Sequence, residues 1–120
     1  MNEHVQSEFG MLDSILSLDR RIRYVAIISE DLKQVEHRMK KDAVSYSPRF
    51  IDEVVVPILV GILKRLTEYI GGLDYCAISY EKVKVLILRL SDGFLLLSVE
   101  PTVDMPRLYG KAKRLARKRK

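Results

Sequence analysis

Apolar positions recur along the chain with two different periods, and the switches between them mark out the elements. In residues 3–18, Val5, Phe9, Leu12 and Leu16 fall at helical spacing, and Met11, Ile15 and Leu18 widen the stripe on one side of an amphipathic helix. Such a stripe needs a flat apolar surface to dock on. After the polar Asp19-Arg20-Arg21, residues 22–29 (IRYVAIIS) are β-branched and aromatic and too short for a typical helix, which is the pattern of a buried strand. Residues 31–41 fit both periods: Leu32, Val35 and Met39 suit a helix, while Val35, His37 and Met39 alternate with Gln34, Glu36 and Arg38 as in a strand. A strand is expected, although Glu30-Asp31 lacks the glycine that a two-residue hairpin prefers.

Ser47-Pro48 is a helix start, with the hydroxyl capping and the proline in the first turn, and the helix should run to about Ile70. It is apolar nearly all round, so a single sheet can bury only part of it and a second face calls for another partner. Pro57 removes one helical hydrogen bond and predicts a kink or the true start, and Gly71-Gly72 ends the helix. Residues 73–80, 83–90 and 94–100 then read as three strands, with Glu81-Lys82 and Asp92-Gly93 as hairpin signals that make them an antiparallel meander. Pro101 ends the meander. Asp104-Met105-Pro106 starts a last helix with Leu108, Ala112 and Leu115 on one side and basic residues elsewhere. The order is helix, two strands, long helix, three strands, helix.

Composition narrows the class. One hundred and twenty residues, 48% hydrophobic and 31% charged, with six Gly and four Pro, describe one soluble α+β domain and exclude both a disordered chain and a multidomain enzyme. The formal charge of +5 is unevenly placed. Residues 107–120 hold eight cations (Arg107, Lys111, Lys113, Arg114, Arg117, Lys118, Arg119, Lys120) and no acid; taking these from the chain's 21 Lys and Arg leaves 13 against 16 Asp and Glu in residues 1–106. The body therefore carries −3 and the C-terminal segment +8. The expected organisation is a domain over 1–106 completed by a basic helical tail over 107–120.

Single Cys76 allows no internal disulfide and, with no leader segment, points to the cytoplasm. The longest apolar stretch, residues 54–63, is interrupted by Pro57 and Gly61 and falls short of the roughly 20 residues of a membrane span. His4 and His37 have no cysteine or paired carboxylates at ligand spacing, so no metal or cofactor is expected. Mid-strand Cys76, between Tyr75 and Ala77, reads as a buried inert thiol, and Glu81, Asp92 and Glu100 as ordinary turn carboxylates rather than an acid and base pair. There is no phosphate-cradling glycine loop, and no enzyme is expected. Tyr24, Tyr75 and Tyr80 suit core and interface better than base stacking, and His37 reads as a partly exposed side chain. The eight tail cations could neutralise phosphates of nucleic acid or meet an anionic membrane surface, as a property separable by truncation; the plain alternative is a solvated helix end.

This element order resembles the roadblock (dynein light chain 7) domain, related to the longin and profilin-like folds. Two strings, Leu18-Asp19-Arg20-Arg21-Ile22-Arg23-Tyr24 and Tyr80-Glu81-Lys82-Val83-Lys84, also look like an uncharacterised family of small thaumarchaeal proteins. The resemblance covers roughly residues 12–117 and implies one five-stranded antiparallel sheet with helices packed on it, α-β-β-α-β-β-β-α. It also implies dimerisation of two copies through the long helix and a sheet edge, and action as a scaffold or regulator of small Ras-like GTPases. The surplus apolar face of the long helix asks for such a partner independently, and Phe50, Val54, Ile58, Ile62, Leu66 and Tyr69 are the expected homodimer interface. In a monomer the first and last helices would have to cover that face instead. The chain departs from the roadblock pattern in having no Asp-Gly turn between its first two strands. A sensory module of the profilin or PAS type, holding a small ligand between sheet and long helix, is a third reading, for which the sequence offers no orienting polar cluster.

Overall fold

In the computed structural model, residues 3–31, 33, 35–40 and 56–118 are described, without the side chains of residues 3–9, 56, 58–60 and 118. The chain runs α1 (Glu3–Leu16), β1 (Ile22–Ser29), β2 (Val35–Met39), α2 (Val56–Ile70), β3 (Tyr75–Ser79), β4 (Lys84–Leu90), β5 (Gly93–Val99) and α3 (Met105–Lys118). Among the described residues the order of elements is the predicted α+β one. The helix start expected at Ser47-Pro48 lies outside the described residues.

All five strands form one antiparallel sheet in the order β2-β1-β5-β4-β3. Central β5 is buried along its whole length and β1 nearly so, because both faces of the sheet are covered. Their continuous apolar runs follow from that burial: a strand packed on both faces has no solvent side on which to place polar residues. On one face, Leu86, Leu88, Leu95 and Leu97 meet Met11, Leu12 and Ile15 of α1 and Leu108 and Ala112 of α3. On the other, Tyr24, Ala26, Ile28, Val85, Ile87, Phe94 and Leu96 form a second cluster, against which Leu63 of α2 and Cys76 of β3 pack.

The ambiguous segment is a strand, and its connection explains why the missing glycine does no harm. Paired residues end at Ile28 and Val35, so the link is six residues long rather than a two-residue turn. Within it, Asp31 does the turning: its Oδ1 accepts from Ser29 Oγ (2.6 Å) and from the Lys33 N–H (3.0 Å). These bonds hold the Asp31 carboxyl below its ordinary pKa, the Ser29 bond contributing most.

Glycines act where space or handedness demands them. Gly71 takes φ 89°, the left-handed conformation that ends α2, while its N–H still donates to Thr67 O. At the β4–β5 hairpin the pair Leu90 and Gly93 closes the ladder, so Ser91 and Asp92 are the loop and Gly93 is the first strand residue. A Cβ there would collide with the Ile28 carbonyl of β1.

The string from Asp19 to Arg21 is a clamp between chain segments. Asp19 Oδ1 accepts from the Arg21 N–H (2.8 Å) and Nε (3.0 Å), and Oδ2 pairs with Nη2 at 2.8 Å. Arg21 Nη1 then donates to Thr102 O at 3.0 Å, tying the α1–β1 turn to the connection between β5 and α3. The side-chain bond to Arg21, then its N–H, hold the Asp19 carboxyl well below the usual carboxylate range, against a smaller opposing effect of burial.

Candidate interaction surface

The features left unmatched by the core lie on α2 and on the neighbouring sheet edge. Leu63 turns inward to the second cluster. Ile62, Leu66, Tyr69 and Ile70, at i, i+4, i+7 and i+8, turn outward and are 55%, 45%, 82% and 77% exposed. Large side chains this exposed, in a continuous stripe along one helix, form an apolar strip that no described residue covers. On the inner side, Lys64 donates from Nζ to Glu30 O at 2.8 Å and Leu63 packs on the second cluster, so the strip faces away from the sheet.

Of the six interface residues expected from sequence, Ile62, Leu66 and Tyr69 are together on this strip. Ile58 lies on α2 without a described side chain, and Phe50 and Val54 fall outside the described residues. Ile70 completes the strip and was not among the six; its position eight residues after Ile62 was the available signal. Beside α2, β3 ends the sheet, and among the described residues no strand pairs with its outer side. Its exposed backbone groups are a template for another strand. Tyr75 and Tyr80, at its two ends, are also exposed.

On α3, the first turn is capped by Asp104, whose Oδ1 accepts from the Arg107 N–H at 3.1 Å. Leu108 and Ala112 are buried and Leu115 and Ala116 pack partly against the same cluster, so the basic segment is a core helix as well as a charged one. That overturns the expectation that its charge could be removed by truncation without touching the body. Among its cations, Arg107, Arg114 and Arg117 are exposed, whereas Lys111 and Lys113 are half-buried. Lys111 lies near enough to Asp19 to help lower its pKa. Lys113 Nζ sits 5.4 Å from the centre of the Tyr109 ring. Lys118 has no described side chain, and Arg119 and Lys120 are outside the described residues.

The remaining candidates do not converge. Asp92 sits at the β4–β5 hairpin, while Glu81 and Glu100 lie at the opposite end of the sheet. Tyr24 is buried on the α2 face, where His37 stacks on it at 5.7 Å, and Tyr75 lies on the α3 face. Burial pushes the Cys76 thiol above its ordinary value, the opposite of nucleophile activation. Among the described residues, no three His, Cys, Asp or Glu side chains cluster as metal ligands, and no helix is long and apolar enough to cross a membrane. Between α2 and the sheet, Leu63, Leu73 and Phe94 floor a cleft of about 370 Å³ rimmed by Glu30, Lys64, Thr67, Glu68 and Arg89.

A sheet in this order, with α1 and α3 on one face and α2 on the other, matches solved structures along nearly the whole chain. The gliding protein MglB from Thermus thermophilus superposes with a TM-score of 0.75 at 16% identity, covering 98% of this chain and 91% of that one. A roadblock/LC7 domain from Streptomyces avermitilis gives 0.69 at 10% identity, with 91% of each chain covered. The chain has the roadblock/LC7 fold. A further roadblock-fold neighbour, an MglB solved in a tetrameric arrangement, gives 0.74 at 18% identity over 98% of this chain and 90% of that one. No family model matches the sequence, and no curated protein does. The resemblance read from element order is thus carried by backbone geometry, at identities of 10–18%.

Proposed function

We propose that this protein is a non-enzymatic interaction module that homodimerises through α2 and the β3 edge and presents the joined sheets to a protein partner. The observation that carries this reading is the strip of Ile62, Leu66, Tyr69 and Ile70 on the helix that leads into β3, an edge strand whose outer side no described strand pairs. Each feature alone is a liability in water. Together they match a second copy of themselves: the strips bury one another while the two β3 strands pair. The tetrameric arrangement of one MglB supports assembly as a property this fold can carry. A small Ras-like GTPase is the partner that the roadblock resemblance implies. Light scattering across a concentration series tests the dimer: a strict monomer at high micromolar concentration overturns it. Pull-down with candidate GTPases in both nucleotide states then tests the partner.

A second reading, polyanion binding by α3, is favoured by Arg107, Arg114 and Arg117 standing exposed along the helix. Contacts to phosphates from these side chains would weaken steeply with salt. Retention on heparin that is insensitive to salt overturns it.

A further inference from the structure

We propose that the homodimer carries, on the face opposite α2, a groove for single-stranded nucleic acid, walled by the two α3 helices and floored by the paired β3 strands. The site rests on the homodimer proposed above and is incomplete in one copy. In that dimer the α2 strips meet on one face while the β3 strands pair edge to edge, so the two-fold axis runs through the seam at right angles to the sheet. Both α3 helices then lie on the other face, one on each side of the seam.

The floor comes from β3. Ala77 pairs with Leu86 and Tyr75 with Leu88, so Tyr75, Ala77 and Ser79 point to the α3 face. All three are exposed, while Cys76 and Ile78 turn to the other face and are half-buried. The strand itself carries no charge; Asp74 and Glu81 stand before and after it.

The walls come from α3, which lies over β4 and turns a basic and aromatic flank to the seam. Tyr109 stacks on Tyr75 at 4.1 Å between centroids, which identifies that flank as the one toward β3. Lys113 follows one turn on, with Nζ 5.4 Å from the Tyr109 ring centre, and Arg117, a further turn on, is exposed. Lys111 is on the opposite flank, in a hollow with Asp19. Lys113 and Arg117 from each of two copies therefore set four cations along one seam, and α3 contributes no acid.

These features select the ligand. Cations in a row meet successive phosphates, and tyrosine rings beside them offer faces on which bases stack without regard to sequence. With α3 over β4, the two walls stand about three strand spacings apart, a groove for one extended chain rather than for a double helix.

Fluorescence anisotropy of a labelled oligothymidylate with the full chain tests the groove, and sedimentation of the same samples reads the dimer separately. One strand per two copies is expected, bound about tenfold or more tighter than a duplex of equal length. K113Q/R117Q should weaken binding about tenfold and flatten its salt dependence, and Y75L should weaken it about fivefold, with circular dichroism confirming each fold. R107Q/R114Q, on the outer side of α3, is the control and should lose less than about threefold. L66K, as a monomer, should lose the site. The groove is overturned, and the dimer left standing, if a dimeric parent binds no oligothymidylate, if a duplex or polyglutamate binds as well, if R107Q/R114Q loses as much, or if monomeric L66K binds as the parent does. A parent that sediments as a monomer overturns both.

Discussion

Tyr109 of α3 stacks on Tyr75 of β3, with ring centroids 4.1 Å apart and planes 23° from parallel. This contact braces the edge strand from the last helix, across more than thirty intervening residues of chain. β3 has only one strand neighbour among the described residues, so the bracing matters more there than it would in the sheet centre. Y109A should destabilise the fold by about 1 kcal/mol beyond the lost area, the range measured for aromatic pairs. Urea unfolding gives the total, and hydrogen exchange should show the excess concentrated in residues 75–79.

The Asp19–Arg21 clamp predicts an acid-dependent stability difference. Because the folded state lowers the Asp19 pKa, the carboxylate is the stabilised form. Its contribution is fully present well above the unfolded value of about 3.9 and is lost as pH falls below that value toward the folded one. D19N should therefore cost about 1 kcal/mol or less near neutrality, since the partner guanidinium is well exposed, and the gap to the parent should narrow steadily below about pH 4. Thermal melts of both proteins from pH 7 to pH 2 measure it. A gap that stays constant across this range contradicts the assignment.

Charges on the α2 strip should dissociate the proposed dimer without unfolding the monomer. L66K and Y69E alter side chains that already face solvent in one copy, so stability should change by about 0.5 kcal/mol or less in the isolated fold. Sedimentation should show the assembly shift to a monomer in each variant. L63K, whose side chain packs inward, is the contrast and should lose stability instead.

For α3, the useful variants neutralise charge rather than shorten the chain. Ending the protein at Pro106 removes Leu108 and Ala112 from the core and should abolish cooperative unfolding. L108A alone should cost about 2–4 kcal/mol. R107Q/R114Q/R117Q keeps the packed face and should fold as the parent does. If α3 binds polyanions, this variant elutes from heparin at clearly lower salt.

Much of the fold was legible because local chemistry is strong where this chain is ordinary. The alternating and continuous apolar runs, the glycine pair after α2 and the Asp104 cap each report on a few neighbouring residues, and the sequence order of elements followed from them. The β1–β2 connection was harder: hydrophobic period cannot separate helix from strand over so few residues, and the Asp31 side chain takes the place of the glycine that was looked for.

The site was only half legible. Sequence alone determined that α2 has more apolar surface than one sheet can bury, and that the excess of positive charge lies in the last fourteen residues. Which α2 residues face outward depends on the rotation of the helix against the sheet, and only tertiary packing set it, turning Leu63 inward and Ile62, Leu66, Tyr69 and Ile70 out. Tertiary structure likewise made α3 part of the core, setting Leu108 and Ala112 against Met11, Leu12 and Ile15. These residues lie far apart in the chain, and no local pattern encodes a meeting that the order of strands creates.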